Sequence, residues 1–328
     1  MACTDQLHVR GFSSSRNVAK IQSTPHLKRK LGQHLLINER ILTQIVDAAE
    51  LPALLAARQK EDENAVVRVL EIGPGTGNLT SALLNLSPRV HVHSVEYDER
   101  MVERLQERFG SEAERLSIEQ TDFENFEFVT KEGDERVRHL DACVANIPYQ
   151  LSSIIISRLT TYMHRYPERM QCAVLLVQEE FAQRLLAKPG SQNYSRLSVN
   201  TALVADVESV VKVGRNHFLP PPKVDSRVIK LTPRLTTEPL VGDDGEKLFF
   251  QRFDTLLRIV FLRKNKTLRA ALLTSTATTL MEKSAQALSK EERTIRVEEA
   301  LEASGLTTKR AVQLPVQDLL WYVYFQAS

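Results

Sequence analysis

The stretch "VVRVLEIGPGTGNLTSALLNL", residues 66–86, decides the fold. Its first seven residues have the composition of a buried strand, the glycines that follow indicate a turn, and "NLTSALLNL" has the apolar spacing of a helix. Strands are also predicted downstream, each before a helical pattern or a turn, in "RVHVHSVEY", "LSIEQTD", "HLDACVAN" and "CAVLLVQ". Repeated units of this kind predict an α/β fold with a mostly parallel sheet covered by helices on both faces.

The rest of the chain suggests three parts. Residues 1–27 are polar, Ser-rich and basic, and they predict a disordered tail. Residues 28–236 hold the alternating units and end in "ADVESVVKVG" and "SRVIKLTPR", which predict an antiparallel pair at the sheet edge. After a linker-like segment at 236–246, residues 245–328 have a helical pattern and predict a small all-helical domain.

Composition argues against several classes of protein. The 328 residues are 42% hydrophobic and 26% charged, as in globular proteins, and no apolar run approaches the roughly 20 residues that span a bilayer. The three cysteines, Cys3, Cys143 and Cys172, are far apart and lack a C-x-x-C spacing, so we expect reduced thiols in an intracellular protein, with no disulfide and no metal site. We also expect no membrane partner.

The charge distribution suggests a polyanionic partner. The formal net charge is only +2, but residues 1–38 hold six Lys or Arg and one acid, and residues 252–269 hold six and one. Between them, residues 96–138 hold fourteen acids and seven bases. Two basic blocks around an acidic middle favour binding of a polyanion by particular faces, although each block could also be a solvated surface.

The glycine loop indicates a nucleoside-containing cofactor. Gly73, Gly75 and Gly77 directly follow the first strand, where glycines let a ligand approach the main chain closely. A dinucleotide loop, G-x-G-x-x-G, would need glycine at position 78, and Asn78 stands there, which disfavours a dehydrogenase. The pattern E-x-G-x-G-x-G is instead typical of methyltransferases that use S-adenosylmethionine.

Two acids end the next strands. Glu96, in "VEYD", could accept both ribose hydroxyls of the cofactor, and Asp122, in "QTDFEN", could accept its adenine amino group. Because the carboxyl ends of parallel strands meet at one edge of the sheet, we expect both acids to lie near the glycine loop.

The fourth strand ends in "NIPY", residues 146–149, which matches the [N/D/S]-P-P-[Y/F/W] motif of methyltransferases that modify planar amino nitrogens. The lone pair of an adenine amine is delocalised into the ring, so the amine is a poor nucleophile. Asn146 Oδ1 and the Ile147 carbonyl could accept its two N–H bonds and free the lone pair. Pro148 would stiffen the turn, and Tyr149 would stack on the base. A strand-ending turn with a core tyrosine is the alternative interpretation.

These motifs together resemble the small-subunit rRNA adenine dimethyltransferases, which include the kasugamycin-resistance methyltransferases of bacteria and their eukaryotic and archaeal counterparts. The resemblance covers about residues 30–328 and rests on "LGQHLLINERIL", "LEIGPGTGNLT", "VANIPYQLSS", "NYSRLSV", "FLPPPKVDSRV" and "FLRKNKTL", in family order. "RKNKT" and the C-terminal end look most like the eukaryotic nucleolar branch. Leu35 departs from the family, which usually has Phe there.

The resemblance implies a Rossmann-like methyltransferase sheet with a C-terminal helical RNA-binding domain. It implies S-adenosylmethionine as cofactor, with contacts from Gln33, His34, Leu36, Gly73, Glu96, Asp122 and Asn146, and we add Gly75 from the same loop. The target adenine would be held by Asn146, Pro148 and Tyr149, with Phe218 as a second aromatic wall. RNA backbone contacts would come from Arg263, Lys264, Lys266 and Arg269.

The implied reaction is dimethylation of two neighbouring adenosines in a hairpin loop near the 3′ end of small-subunit rRNA. The expected partner is this rRNA or a pre-ribosomal particle, the expected state a monomer, and the expected location the nucleolus. The Arg- and Ser-containing tail leaves a mitochondrial location open. Alternatives are a non-catalytic assembly factor, a mitochondrial transcription-factor paralogue, and a methyltransferase of DNA adenine or protein glutamine. The long acidic segment at 124–138 has no explanation from the sequence.

Overall fold

A computed structural model describes residues 34–130, 136–234, 246–274, 277 and 289–320. The tail predicted for 1–27 and the candidate cofactor residue Gln33 lie outside these ranges. The strands, in chain order, are β1 (Leu35–Leu36), β2 (Val67–Ile72), β3 (Val90–Glu96), β4 (Leu116–Gln120), β5 (Val129–Thr130), β6 (Arg136–Val137), β7 (Ala142–Asn146), β8 (Cys172–Gln178), β9 (Ala205–Val213), β10 (Phe218–Leu219) and β11 (Ser226–Pro233).

The helices cover the sheet and build the C-terminal part. In chain order they are α1 (Glu39–Ala48), α2 (Leu51–Arg58), α3 (Asn78–Leu84), α4 (Glu99–Arg108), α5 (Ser152–Arg165), α6 (Glu179–Leu185), α7 (Arg196–Val204), α8 (Glu246–Leu262), α9 (Leu268–Leu272) and α10 (Lys290–Ala303). Within the described ranges, none of these helices combines the length and the apolar character that crossing a membrane requires.

Seven of the described strands form one sheet, in the order β4-β3-β2-β7-β8-β11-β9. The pairs from β4 to β8 are parallel, and β11 is antiparallel to both β8 and β9. The mostly parallel sheet and the antiparallel pair at its edge are therefore as predicted. In this order the carboxyl ends of β2, β3, β4 and β7 meet along one edge of the sheet.

Helix starts follow the expected capping chemistry. The Asn38 side chain accepts a hydrogen bond of 3.1 Å from the Ile41 N–H at the start of α1, and Asp98 accepts one of 3.3 Å from the Arg100 N–H at the start of α4. A side-chain acceptor at this position satisfies a backbone N–H that has no partner within the helix. Both helices then bury an apolar face against the sheet.

Apolar side chains form two cores on the faces of the sheet and a third among the C-terminal helices. The third core includes residues of α7, such as Val199 and Leu203, beside Phe253 and Leu257 of α8. In the same region the Tyr194 hydroxyl donates a 2.9 Å hydrogen bond to the carbonyl of Leu314. The helical part is thus anchored on α7, which the sequence patterns did not reveal.

Two small sheets were also not predicted. β1 pairs antiparallel with β10, so that Leu35 faces Leu219 and Leu36 faces Phe218. β5 pairs antiparallel with β6 inside the acidic segment, of which residues 131–135 lie outside the described ranges. The first pair brings the N-terminal motif and the proline-rich loop together beside the main sheet.

Gly77 allows a test of how the glycine loop packs on α4. Its φ is +81°, and a Cβ there would lie against the Phe109 ring and 2.8 Å from Leu105 Cδ2. We expect Gly77→Ala to lower the free energy of unfolding by about 2–4 kcal/mol, from backbone strain and overpacking together.

Two other glycines separate these causes. Gly190 has a φ of +85° but nothing within 4 Å of an added Cβ, and Gly110 has neither constraint. In urea denaturation, Gly190→Ala should cost about 1 kcal/mol and Gly110→Ala almost nothing. Equal effects at Gly77 and Gly190 would contradict the packing part of the prediction.

Candidate functional site

A cavity of about 400 Å³ opens at the carboxyl ends of β2, β3, β4 and β7. Its wall combines the glycine loop, the ends of these strands and residues around β1. It brings together most of the residues predicted for cofactor and target, namely His34, Leu36, Gly73, Gly75, Glu96, Asp122, Asn146, Pro148 and Tyr149. Residues that are far apart in the sequence therefore share one concave site, as expected for the edge of an open α/β sheet.

The glycine loop is enclosed by two neighbouring segments. A Cβ on Gly75 would lie 2.9 Å from Leu35 Cδ2, and one on Gly73 would lie 3.4 Å from Pro148 Cδ. The loop thus packs against β1 on one side and against the target motif on the other. Leu35, where the family usually has Phe, contacts the glycine loop directly.

Glu96 is held by main-chain donors at the end of β3. Its Oε2 accepts a 3.2 Å hydrogen bond from the Gly75 N–H, and its Oε1 accepts a 2.9 Å bond from the Asp98 N–H. The residue is 7% exposed, and burial raises the pKa of its carboxyl. Each oxygen retains a lone pair that could accept a hydrogen bond from a ligand in the cavity.

Glu71 also lines the cavity, and the sequence reasoning assigned it no role. Its Oε2 accepts hydrogen bonds from Thr80 Oγ1 at 2.6 Å and Ser94 Oγ at 3.2 Å, whereas its Oε1 is buried without a partner among the described residues. Burial raises the pKa of this carboxyl to about 7. A signal was present, because Glu71 is the acid of the E-x-G-x-G-x-G pattern and interrupts an apolar strand.

The raised pKa of Glu71 predicts a pH-dependent stability. Between pH 4.5 and about 7 the folded state holds this proton more tightly than the unfolded state, so the free energy of unfolding falls as pH rises and levels off above pH 7. The loss should be on the order of 3 kcal/mol. Glu71→Gln cannot ionise, and it should therefore lack this decline.

Urea denaturation of the protein and the Glu71→Gln variant between pH 5 and 8 measures the effect. Their difference in unfolding free energy should grow with pH, in favour of the variant. Glu103→Gln, on the exposed face of α4, is the matched control and should run parallel to the unaltered protein. Parallel curves for Glu71→Gln as well would contradict the prediction.

The target loop fixes the orientation of Asn146. The Asn146 Nδ2 donates a 3.0 Å hydrogen bond to the main-chain carbonyl of His34. Because the amide nitrogen has this partner, the amide oxygen remains available as an acceptor. Ile147 is buried in the core, and Pro148, with φ −60°, leads into the turn that begins at Tyr149.

An imidazole lies beside the Tyr149 ring. The ring centroids of His34 and Tyr149 are 5.9 Å apart, with an interplanar angle of 25°. The His34 Nδ1 donates a 2.8 Å hydrogen bond to the Pro220 carbonyl, which can only accept. The Tyr149 hydroxyl is 2.7 Å from Ser226 Oγ. His34 covers one face of the phenol, so an incoming base would need the opposite face or the space of the imidazole.

Phe218, predicted as the second aromatic wall, is not among the residues that line the cavity. It is 1% exposed and packs in the core below β1, while its main chain pairs with Leu36. A ring buried on both faces has no surface for a base in this arrangement. The structure thus gives no support to a stacking role for Phe218, and the ring beside Tyr149 is His34.

The loop that carries Asp122 is anchored by Arg158 of α5. Arg158 donates to the main-chain carbonyl of Phe123 at 2.9 Å and also to those of Glu124 and Phe126. Its guanidinium lies over the Phe123 ring, 5.3 Å from the centroid. The first part of the acidic segment, next to Asp122, is therefore held against α5 by hydrogen bonds and an aromatic contact with Arg158. No sequence pattern indicates this contact.

The four predicted RNA-binding residues do not line the cavity and are on the turn between α8 and α9 and at the start of α9. Arg263 and Lys266 are exposed, and Lys264 Nζ donates a 3.2 Å hydrogen bond to the Gln192 carbonyl. Arg269 forms an ion pair of 2.6 Å with Glu298, which offsets its charge. In the described ranges no group of three or more His, Cys, Asp or Glu has a metal-binding arrangement.

Comparisons with known proteins agree on one family. The model of a family described as "Ribosomal RNA adenine dimethylase" matches residues 25–307. A ribosomal RNA small subunit methyltransferase of Arabidopsis thaliana is 39% identical over 259 residues, which are 78% of this chain but only 64% of that protein. A dimethyladenosine transferase of Candida glabrata is 33% identical over 347 residues, covering 99% of this chain and 97% of the relative.

A solved structure is similar over nearly its whole length. The crystal structure of a dimethyladenosine transferase from Plasmodium falciparum has a TM-score of 0.67 and 32% identity. The match covers 88% of this chain and 96% of that one. The similarity therefore includes both the sheet and C-terminal helices.

Proposed function

Because this chain belongs to the ribosomal RNA adenine dimethylase family, and by that membership is a small-subunit rRNA adenine dimethyltransferase, we propose that its cavity dimethylates the N6 amines of two adjacent adenosines. The adenosines lie in the 3′-terminal hairpin loop of the rRNA. One observation carries the proposal, namely that Asn146, Pro148 and Tyr149 share a cavity with Glu96 and Asp122. The residues predicted to bind the target adenine and those predicted to bind the cofactor therefore line the same cavity.

The residues present fit S-adenosylmethionine as the cofactor. Gly73 and Gly75 line the cavity, so the loop presents its main chain to a ligand bound there. Glu71 Oε1, which is buried without a partner among the described residues, is an acceptor that a positively charged ligand donor would satisfy. Glu96 would hold the ribose hydroxyls and Asp122 the adenine amine. When bound, the cofactor supplies an activated methyl group on a sulfonium.

The protein's contribution to the transfer is alignment. The hydrogen bond from Asn146 Nδ2 to the His34 carbonyl turns Oδ1 away from that carbonyl and leaves it free to accept an N–H bond of the target amine. The Ile147 carbonyl would accept the other N–H, and Tyr149 would hold the base by stacking. Fixing both reactants in line is worth several orders of magnitude in rate, and no strong general base is required.

A base in a hairpin loop must be turned out to reach this pocket. After the first transfer only one N–H remains on the amine, so the base must seat again with a methyl group in place of a proton. The small residues on either side of the motif, Ala145 and Ser152, are buried and do not line the cavity, so the room for this methyl group must come from the cavity itself.

The RNA backbone would be bound by the turn between α8 and α9 and by a second segment beside it. The Leu268 N–H donates a 2.8 Å hydrogen bond to the Lys309 carbonyl, and Thr267 forms an isolated bridge with Arg310. Lys309 and Arg310 are exposed, and they extend the basic surface of Arg263, Lys264 and Lys266. Arg269 should contribute less, because Glu298 already pairs with it.

Salt dependence tests this surface. Replacement of Lys266 or Lys309 by Gln should reduce the slope of log K against log salt for rRNA binding by about 1 each, because one phosphate contact is lost. The turnover number should stay unchanged at saturating RNA. Lys60 is exposed on a loop that is distant in the sequence from this basic surface. Lys60→Gln is therefore the control and should leave the slope unchanged. Filter binding at several salt concentrations measures it.

Methyl transfer into isolated pre-ribosomal particles tests the proposed function. Particles from cells depleted of this protein should accept two methyl groups on each target adenosine when the purified protein and labelled cofactor are added, as read by mass spectrometry. Full dimethylation of the small-subunit rRNA in depleted cells would overturn the proposal. We further propose that the protein acts as a monomer in the nucleolus during small-subunit biogenesis, which imaging of the full chain would test.

A further inference from the structure

The Tyr149 hydroxyl has a partner that stacking does not require. Tyr149 Oη and Ser226 Oγ are 2.7 Å apart, and either atom can be the donor. The motif at 146–149 accepts Tyr, Phe or Trp in its last position, so a hydroxyl is not needed to stack on a base. Burial raises the pKa of the Tyr149 hydroxyl, so the group stays protonated. A neutral phenol makes this bond, so the bond contributes to the geometry of the ring rather than to its ionisation.

Ser226 is a rigid anchor. It is 0% exposed and is the first residue of β11, where its main chain pairs with Gln178 of β8 and Val213 of β9. The residue before it, Asp225, accepts a 3.0 Å main-chain bond from the Glu179 N–H. A side chain on a strand paired from both sides has little freedom, so its hydroxyl marks a fixed point relative to the sheet.

The contact joins two separate parts of the site. Tyr149 follows the target strand β7, whereas Ser226 is 77 residues further along and ends the proline-rich loop that supplies the carbonyl partner of His34. A tyrosine ring turns about two side-chain torsions. Its hydroxyl oxygen lies on the axis of the second torsion, so tying that oxygen to a fixed point restricts the first torsion and with it the position and inclination of the ring axis. This axis is thus held by Ser226 at one end and by the turn at Pro148 at the other, while the His34 ring packs beside the phenol.

We propose that Ser226 is a positioning residue that fixes the position and inclination of the Tyr149 ring axis, and that this matters most for the second methyl transfer. The proposal rests on the proposed function. In the first transfer two N–H bonds orient the target amine, but in the second only one is left. The orientation of the base then depends more on the aromatic face on which it lies, and a ring free to tilt misaligns the monomethylated amine.

A double-mutant cycle tests the coupling. Ser226→Ala and Tyr149→Phe each break the same hydrogen bond, and each should slow the second transfer about fivefold to tenfold. The double variant should be no slower than either single variant, because the two residues act as one unit. In Ser226→Ala, the first transfer and the KM for the cofactor should change less than twofold. Single-turnover mass spectrometry should show monomethyladenosine accumulating.

Thr160→Val is the matched control, since it removes another buried hydroxyl, whose partners among the described residues are carbonyls of its own helix. It should leave the ratio of mono- to dimethyladenosine unchanged. Provided that the unaltered protein forms dimethyladenosine, either of two results would overturn the proposal. One is that the effects of the two substitutions on the second transfer multiply in the double variant. The other is that the variants leave the ratio of mono- to dimethyladenosine unchanged. If the unaltered protein forms no dimethyladenosine at all, the proposed function falls, and this inference falls with it.

Discussion

Asn146→Ala should lower the turnover number for methyl transfer by at least about 100-fold while the protein stays folded. The substitution removes the Oδ1 that would accept a bond from the target amine, and it frees the His34 carbonyl from its 3.0 Å partner. Cofactor affinity should fall less, by about fivefold, because only one hydrogen bond near the cofactor is lost. Single-turnover incorporation of methyl groups and calorimetric cofactor binding separate the two effects.

Two further variants sharpen this test. Asn146→Asp keeps an acceptor toward the target but sets a negative oxygen against the His34 carbonyl, so its activity should lie between those of Asn146→Ala and the unaltered protein. Asn85→Ala, an exposed residue after α3, is the control and should behave as the unaltered protein. Normal turnover by Asn146→Ala would exclude the proposed role of the motif.

Glu96→Gln should weaken cofactor binding by about 10- to 150-fold, because hydrogen bonds to a charged group contribute about 1.5–3 kcal/mol. Both carboxylate oxygens accept from main-chain N–H groups, of Gly75 and of Asp98. In either orientation, the amide of Gln therefore sets its NH₂ against one of these donors. Glu99→Gln, exposed in the first turn of α4, is the matched control.

The pH dependence of cofactor binding follows from the same residue. Since burial raises the pKa of Glu96, its carboxylate gains a proton at a higher pH than an exposed glutamate does. As the solution is acidified, affinity for the cofactor should therefore begin to fall at a higher pH than it would if this glutamate were exposed. Glu96→Gln has no carboxyl at this position and should not show this fall in affinity. Calorimetry between pH 5 and 8 measures it, and an identical pH profile in the variant would contradict the assignment.

The predicted α/β methyltransferase sheet with C-terminal helices and the predicted family are both confirmed. Both could be predicted because they rest on short motifs whose residues are close together in the sequence. Strand ends could be placed because apolar runs stop at Glu96 and Asn146, and parallel strands bring such ends to one edge. The meeting of Glu96, Asp122 and Asn146 follows from this geometry. Their individual roles toward cofactor and target remain predictions.

Features that depend on distant pairing could not be predicted. A two-residue strand such as β1 has no periodicity, so its pairing with β10 leaves no local signal. The same pairing buries Phe218 and brings His34 beside Tyr149, and no local sequence pattern could have shown this. The pKa of Glu71 likewise depends on burial that no linear pattern encodes.

The pairing of Leu35 and Leu36 with Phe218 and Leu219 also sets an order of events during protein synthesis. The N-terminal motif leaves the ribosome early, but the strand that holds it is made more than 180 residues later. Until that strand emerges, the sheet edge can form while the cavity lacks one wall and the His34 ring lacks its carbonyl partner at Pro220. A nascent chain arrested before residue 218 should therefore be unable to complete the site, even though every strand end that lines the cavity has already been made.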